Sequence, residues 1–211
     1  MRRTPLLLLL IIALCPKSSF SQIYIEPFGG YQKDINNHKG NLFNSGVQLA
    51  LKRRNYEFLI QIQKSWPLSS KYTDSSFTLN TGLPLYAPAQ KKVHPSSFSF
   101  GVGNRVKLAG RQTKNSLFAT TYIGIMYQKM DISYQYDKIN YVVLNPDKTI
   151  SKTGLYAAIG LAYMRQFTSS RVFAELNLSS PPAGSGNYPN TIHFVAPLSL
   201  QIGYSIQLSK K

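Results

Sequence analysis

The stretch from Phe194 to Leu208 limits this chain more than any other. Every second residue there is apolar: Phe194, Ala196, Leu198, Leu200, Ile202, Tyr204, Ile206 and Leu208. Between them stand Ser199, Gln201, Gly203, Ser205 and Gln207. A period of two is that of a β-strand, whose successive side chains point to opposite sides. Seven earlier segments also have strand character, over roughly 23–31, 42–52, 56–63, 97–108, 116–129, 154–167 and 171–179. In the third, Tyr56, Phe58, Ile60 and Ile62 oppose Glu57, Gln61 and Gln63. In the second, Phe43, Val47, Leu49 and Leu51 oppose Asn44, Gly46, Gln48 and Lys52. In the seventh, Val172, Ala174, Leu176 and Leu178 oppose Glu175 and Asn177. No stretch repeats with a helical period. The expectation is an all-β domain of eight strands, each with one apolar and one polar face.

Such faces suit a soluble barrel, apolar inside, or a membrane barrel, apolar outside. The connections distinguish the two. Short links at 53–55, 109–115 and 168–170 alternate with long ones at 32–41, 64–96, 130–153 and 180–192. Short turns on one side and long loops on the other are the pattern of an antiparallel up-and-down transmembrane barrel. Aromatic residues stand at both ends of the apolar face, as they do at membrane interfaces. Phe43, Phe98, Tyr127 and Phe194 lie beside long loops, and Tyr56, Tyr163, Phe167 and Tyr204 lie towards the other rim. Arg165 and Asn104 have outward parity, and Pro27 interrupts a first strand that alternates poorly. Phe118 and Tyr122 point inward, so the fifth strand is apolar on both faces.

Export fits this reading. Residues 1–21 read as a signal peptide, with Arg2 and Arg3 before an apolar run and Ser19-Phe20-Ser21 at the cut. The barrel domain is then 22–211. The single cysteine, Cys15, lies in the leader. Leu14 before it does not suit a lipoprotein cut, so disulfides and thiolate metal sites are not expected. The net charge of +16 raises nucleic acid as a partner. The basic residues are scattered through turns and loops, however, and anionic lipid headgroups account for them better.

With leader, strand rhythm and loop rhythm in place, the chain resembles the small outer-membrane β-barrel family. That family includes the eight-stranded transmembrane domain of outer membrane protein A and the PorT-like barrels. The resemblance covers nearly all of 22–211 and implies a bacterial outer-membrane location. Many such barrels end in an aromatic residue, whereas this chain ends Ser209-Lys210-Lys211.

Inward charges are expected to form a paired cluster that fills the lumen: Lys52, Glu57, Arg105, Lys107 and Glu175. Binding is expected on the long loops, at Lys71, Lys91, Lys92, Tyr134, Tyr136 and Tyr141. The partners expected there are lipopolysaccharide, a surface protein or a secretion component. A narrow passive channel, a lipid A-modifying enzyme and a periplasmic lipocalin-like binder are the alternatives. His38, His94 and His193 fall in or beside long loops without ligand spacing, so no metal is expected. His94-Pro95-Ser96 resembles the His-x-Ser of lipid A deacylases, and His38 with Asp74-Ser75 is a looser grouping. No catalytic residue and no cofactor is assigned. Gly101-Val102-Gly103 lacks the third glycine of a nucleotide loop.

Overall fold

The computed structural model describes residues 22–34, 41–68, 70–79, 82–110, 114–143, 148–168, 170–180, 183 and 197–210. The expected leader, His38, His193, most of the 180–192 connection and Phe194 lie outside the described residues. In chain order the strands are β1 (Gln22–Asp34), β2 (Asn41–Arg53), β3 (Tyr56–Leu68), β4 (Ser70–Thr78) and β5 (Tyr86–Ala109). They continue with β6 (Asn115–Gln135), β7 (Tyr141–Val142), β8 (Lys148–Gln166), β9 (Ser170–Ser179) and β10 (Pro197–Lys210). Eight of them close a ring in the order β1, β2, β3, β5, β6, β8, β9, β10, with β10 returning to β1 and every pairing antiparallel.

The ring matches the expected strands, but two expected loops are largely strand. In 64–96, β3 runs on to Leu68, and β4 then pairs with the far half of β5 from Ser70↔Val93 to Phe77↔Tyr86. In 130–153, β6 reaches Gln135 and β8 begins at Lys148. β7 attaches to β4 through Phe77↔Val142. A 24-residue β5 is more than twice the roughly 9–11 residues a tilted strand needs to cross a membrane. The sheet therefore projects past the ring's loop end as an extension.

Cross-strand rows show where the membrane ends. Val102, Ile123 and Ala157 stand side by side on the outer face, and Phe100, Ile125 and Leu155 follow one row higher. Ile123 is 57% exposed and Ile159 63% exposed, at the waist of a continuous apolar surface. A soluble monomer does not leave such a band bare. The next row is Phe98 and Tyr127, and on the neighbouring β3, two residues beyond the Lys64 that pairs with Phe98, Trp66 stacks with Phe43 at 6.1 Å. Above that row the outer face turns polar: Ser96–Lys129–Ser151, then His94–Asp131–Thr149, then Lys92–Ser133. The inner face of the extension turns apolar at the same height. Ala89, Ile132, Tyr134, Val143 and Ile150 form a buried cluster there. Tyr56, Tyr163, Phe167 and Tyr204 are exposed towards the turn end, as a second interfacial belt requires.

The outward polar residues are accommodated. Thr121 Oγ1 donates to Asn104 Oδ1 at 2.8 Å, so two lipid-facing polar groups satisfy each other. The Arg165 guanidinium lies 5.9 Å from the Phe167 ring, close to the turn-end rim. β1 runs through Pro27, which faces outward, while Tyr24, Glu26 and Phe28 are buried inside. In the lumen Phe173 lies against Gly203 and Tyr156 against Gly101, where a side chain on either glycine would collide with the ring.

Candidate functional site

The lumen is sealed by an ionic cluster of five side chains from four strands, Glu26 on β1, Glu57 on β3, Arg105 on β5, and Arg171 and Glu175 on β9. Arg105 on β5 is fully buried and donates through Nη1 to Glu57 at 2.9 Å and to Glu26 at 3.2 Å, and through Nη2 to Glu175 at 3.1 Å. Arg171 on β9 donates to Glu26 at 2.6 Å and to Glu57. Its guanidinium lies 3.7 Å from the centroid of the Tyr24 ring, which adds a cation–π contact in a dry setting.

Each carboxylate oxygen in the cluster has a partner. Glu26 also accepts from Gln48 at 2.7 Å and from Ser205 at 2.5 Å. Glu175 Oε1 accepts from Asn177 Nδ2 at 2.8 Å and lies 2.8 Å from the Tyr122 hydroxyl. Removing ionised groups from water costs several kcal/mol each unless they are paired and hydrogen-bonded. Every charge here is paired and every carboxylate oxygen hydrogen-bonded, while Arg105 Nε and Arg171 Nε are buried without a partner among the described residues. Beyond the cluster, towards the extension, the lumen narrows among glutamines, serines and Tyr156 to a cavity of about 20 Å³. Charged groups inside and aliphatic ones outside exclude the lipocalin-like alternative, which needs an apolar interior.

Of the five lumen charges expected from sequence, Glu57, Arg105 and Glu175 meet in the cluster. Lys52 and Lys107 stand instead around a cavity at the turn end, although Lys52 is the register partner of Glu57. Glu26 and Arg171 were not anticipated. The signal for Arg171 was present, since it shares parity with Phe173, Glu175 and Asn177. Glu26 was hidden by the weak alternation of β1.

The expected loop residues are divided by the extension's two faces. Tyr134 is buried in its core, with the Lys91 ammonium 5.5 Å from its ring, so neither belongs to a mobile loop. Tyr136 packs against the same core and has Lys138 Nζ 6.0 Å from its ring. Lys92 faces outward opposite Lys71 on β4. Tyr141 lies in β7, paired with Thr78. Asp137 closes the preceding turn by accepting from Asn140 Nδ2 at 2.7 Å and from the Ile139 N–H at 3.0 Å, which holds its carboxyl below the usual range.

The outward lysines form a second feature, which includes Lys92 of the expected binding residues. Lys64 lies level with Phe98 and stacks over Trp66 at 5.3 Å. Lys129 and Lys92 lie one and three rows beyond Phe98 and Tyr127. His94 stands opposite Asp131 on the same outer face. Both Asp131 oxygens are already engaged, by Lys129 Nζ at 2.8 Å and by Thr149 Oγ1 at 2.6 Å. Asp131 is therefore not arranged to orient the histidine beside Ser96 as a hydrolase would require. Among the described residues no group of three or more His, Cys, Asp or Glu could hold a metal.

A closed ring of eight antiparallel strands, aliphatic outside and ion-paired within, is a small transmembrane β-barrel of the type found in bacterial outer membranes. The solved structures it resembles are of that type. The crystal structure of Neisserial surface protein A matches with a TM-score of 0.52 and 9% identity, over 87% of this chain and 96% of that one. A major outer membrane protein from Thermus thermophilus matches with a TM-score of 0.52 and 12% identity, over 88% of this chain and 99% of that one. At such identities the likeness concerns the fold. No protein-family model and no curated protein matches the chain.

Proposed function

We propose that this protein is a non-conducting outer-membrane anchor that binds lipopolysaccharide phosphates along its outer lysine row and holds a rigid β-sheet above the membrane. The observation that carries the reading is the placement of Lys64, Lys92 and Lys129. They face outward at and just beyond the aromatic row, at the height where lipid headgroup phosphates begin. The sealed lumen supports an anchoring role over a passive channel, because a cavity of about 20 Å³ holds no more than a water molecule or so.

A surface protein partner is a second reading, favoured by the tip of the extension. Leu79, Leu85 and Ile139 stand 63%, 61% and 86% exposed there, well away from the apolar band.

Refolded protein in neutral detergent tests the first reading. Added lipopolysaccharide should raise the temperature at which the compact gel form is lost, and the same amount of zwitterionic phospholipid should not. A variant combining Lys64→Gln, Lys92→Gln and Lys129→Gln should show no such rise. Equal stabilisation of variant and wild type would defeat the proposal.

A further inference from the structure

The two ends of the lumen differ. Towards the extension it is filled, but between the ionic cluster and the turns it opens into a cavity of about 360 Å³. Among the described residues, five cationic side chains line it, Lys52, Arg54, Lys107, Lys114 and Arg171, against a single carboxylate, Glu57. Arg171 and Glu57 are paired with each other in the cluster. The excess positive charge at the mouth therefore comes from the other four.

Two features separate this mouth from an ordinary basic rim. Lys52 and Lys107 have inward parity on β2 and β5, so they do not lie along the lipid-facing surface as a snorkelling lysine does. Arg54 occupies the β2–β3 turn with a φ of 46°, a left-handed conformation that favours Gly or Asn. The two-residue hairpin turn thus holds a bulky cation at the mouth, at a position where Gly or Asn is favoured. A cavity of that volume is only about 9 Å across, comparable to the screening length of physiological salt, so the fields of the four groups overlap inside it.

We infer that the turn-end mouth is a binding site for a small polyanion of the phosphate class. Lysine ammonium groups act as point charges towards phosphate oxygens, and several converging on one cavity favour a compact multiply charged group over a single carboxylate. The volume suits a diphosphate-sized molecule and is far too small for a folded partner. The inward aim of Lys52 and Lys107 favours a soluble phosphate over a lipid headgroup. The inference does not depend on the lipopolysaccharide reading, because the two sets of lysines lie at opposite ends of the barrel.

The test is calorimetric titration of the full refolded chain, in neutral detergent, with pyrophosphate. Heat-dependent gel mobility confirms that each variant is folded. Pyrophosphate should bind more tightly than acetate, and binding should weaken as salt is raised. Lys52→Gln with Lys107→Gln should weaken it by about tenfold or more. The outer-row variant Lys64→Gln, Lys92→Gln, Lys129→Gln should bind as the wild type does. If the inner pair prevents folding, Arg54→Gln with Lys114→Gln, both on turns, replaces it. Absence of binding at millimolar pyrophosphate would overturn the inference. So would equal binding by the inner-pair variant, loss of binding in the outer-row variant alone, or displacement of pyrophosphate by phosphatidylglycerol micelles.

Discussion

Strands β5 and β6 belong to two environments, and their side chains change sides between them. Below the Phe98–Tyr127 row, Ile123 and Ile125 face outward, and Arg105 and Tyr122 are buried in the lumen. Above it, Lys129 and Asp131 face outward, and Ile132 and Tyr134 are buried. The backbone ladder continues through the change without interruption from Phe118 to Gln135 along β6. What reverses is the solvent. Lipid accepts the aliphatic face and leaves the polar groups to find one another inside, whereas water does the opposite. One pair of strands thus carries a membrane barrel and a water-soluble sheet in series.

The two halves should respond very differently to a lost charge partner, and the largest effect is expected in the lumen. Arg105→Gln leaves three buried carboxylates facing the Arg171 guanidinium alone. Breaking a buried ionic network in this way costs on the order of 3–5 kcal/mol. The variant should fail to give the compact, heat-sensitive gel form under conditions where the wild type gives it fully. Glu57→Gln should be milder, because it leaves two carboxylates with two guanidinium groups, but it still breaks the contacts from both arginines. If Glu57→Gln left heat stability unchanged, the cluster would not be holding the barrel closed.

A lysine placed on the same outer face at two heights sharpens the comparison next. Ile123→Lys puts an ammonium at the waist of the apolar band, where the cost is about 2–4 kcal/mol. Ser133→Lys puts one on the outer face of the extension, opposite Lys92, where it should cost no more than about 1 kcal/mol. Urea unfolding in lipid vesicles reads both. Similar losses at the two positions would mean that the lipid boundary does not lie at Phe98 and Tyr127.

The reversal of faces also explains what could be read from sequence. Within the membrane band alternation is clean, because one face meets lipid and the other a packed lumen. The eight ring strands and their facing were therefore visible, including the inward parity of Glu57, Arg105 and Glu175. Above the band the phase inverts, and a pattern that inverts looks like a pattern that has ended. That is why 86–96 on β5 and 130–135 on β6 read as loop, and why Tyr134 passed for an exposed binding residue. Arg171 was legible by parity but sits at the first turn-end positions of its strand, where alternation has little length to work with. Glu26 was obscured by Pro27, which suggests an interrupted strand unless its outward orientation is known.

The smallest effect lies on the outer face of the extension, where the same kinds of charge meet in water. The Lys129 ammonium, and secondarily the Thr149 hydroxyl, hold the Asp131 carboxyl below its ordinary range. A carboxyl with a depressed folded pKa stabilises the fold fully above the ordinary carboxylate range, and that contribution disappears as pH falls through the depressed value. The Asp131 side chain is 43% exposed, so solvent screening limits the contribution to a few tenths of a kcal/mol. Asp131→Asn should therefore lower the unfolding midpoint slightly at neutral pH, and the gap from wild type should close at acid pH below the carboxylate range. A gap that persisted there would assign the effect to lost hydrogen-bond geometry instead of charge. A gap as large as that of Arg105→Gln would remove the distinction between the two halves, because it would mean that a water-facing ion pair weighs as much as one sealed in the lumen.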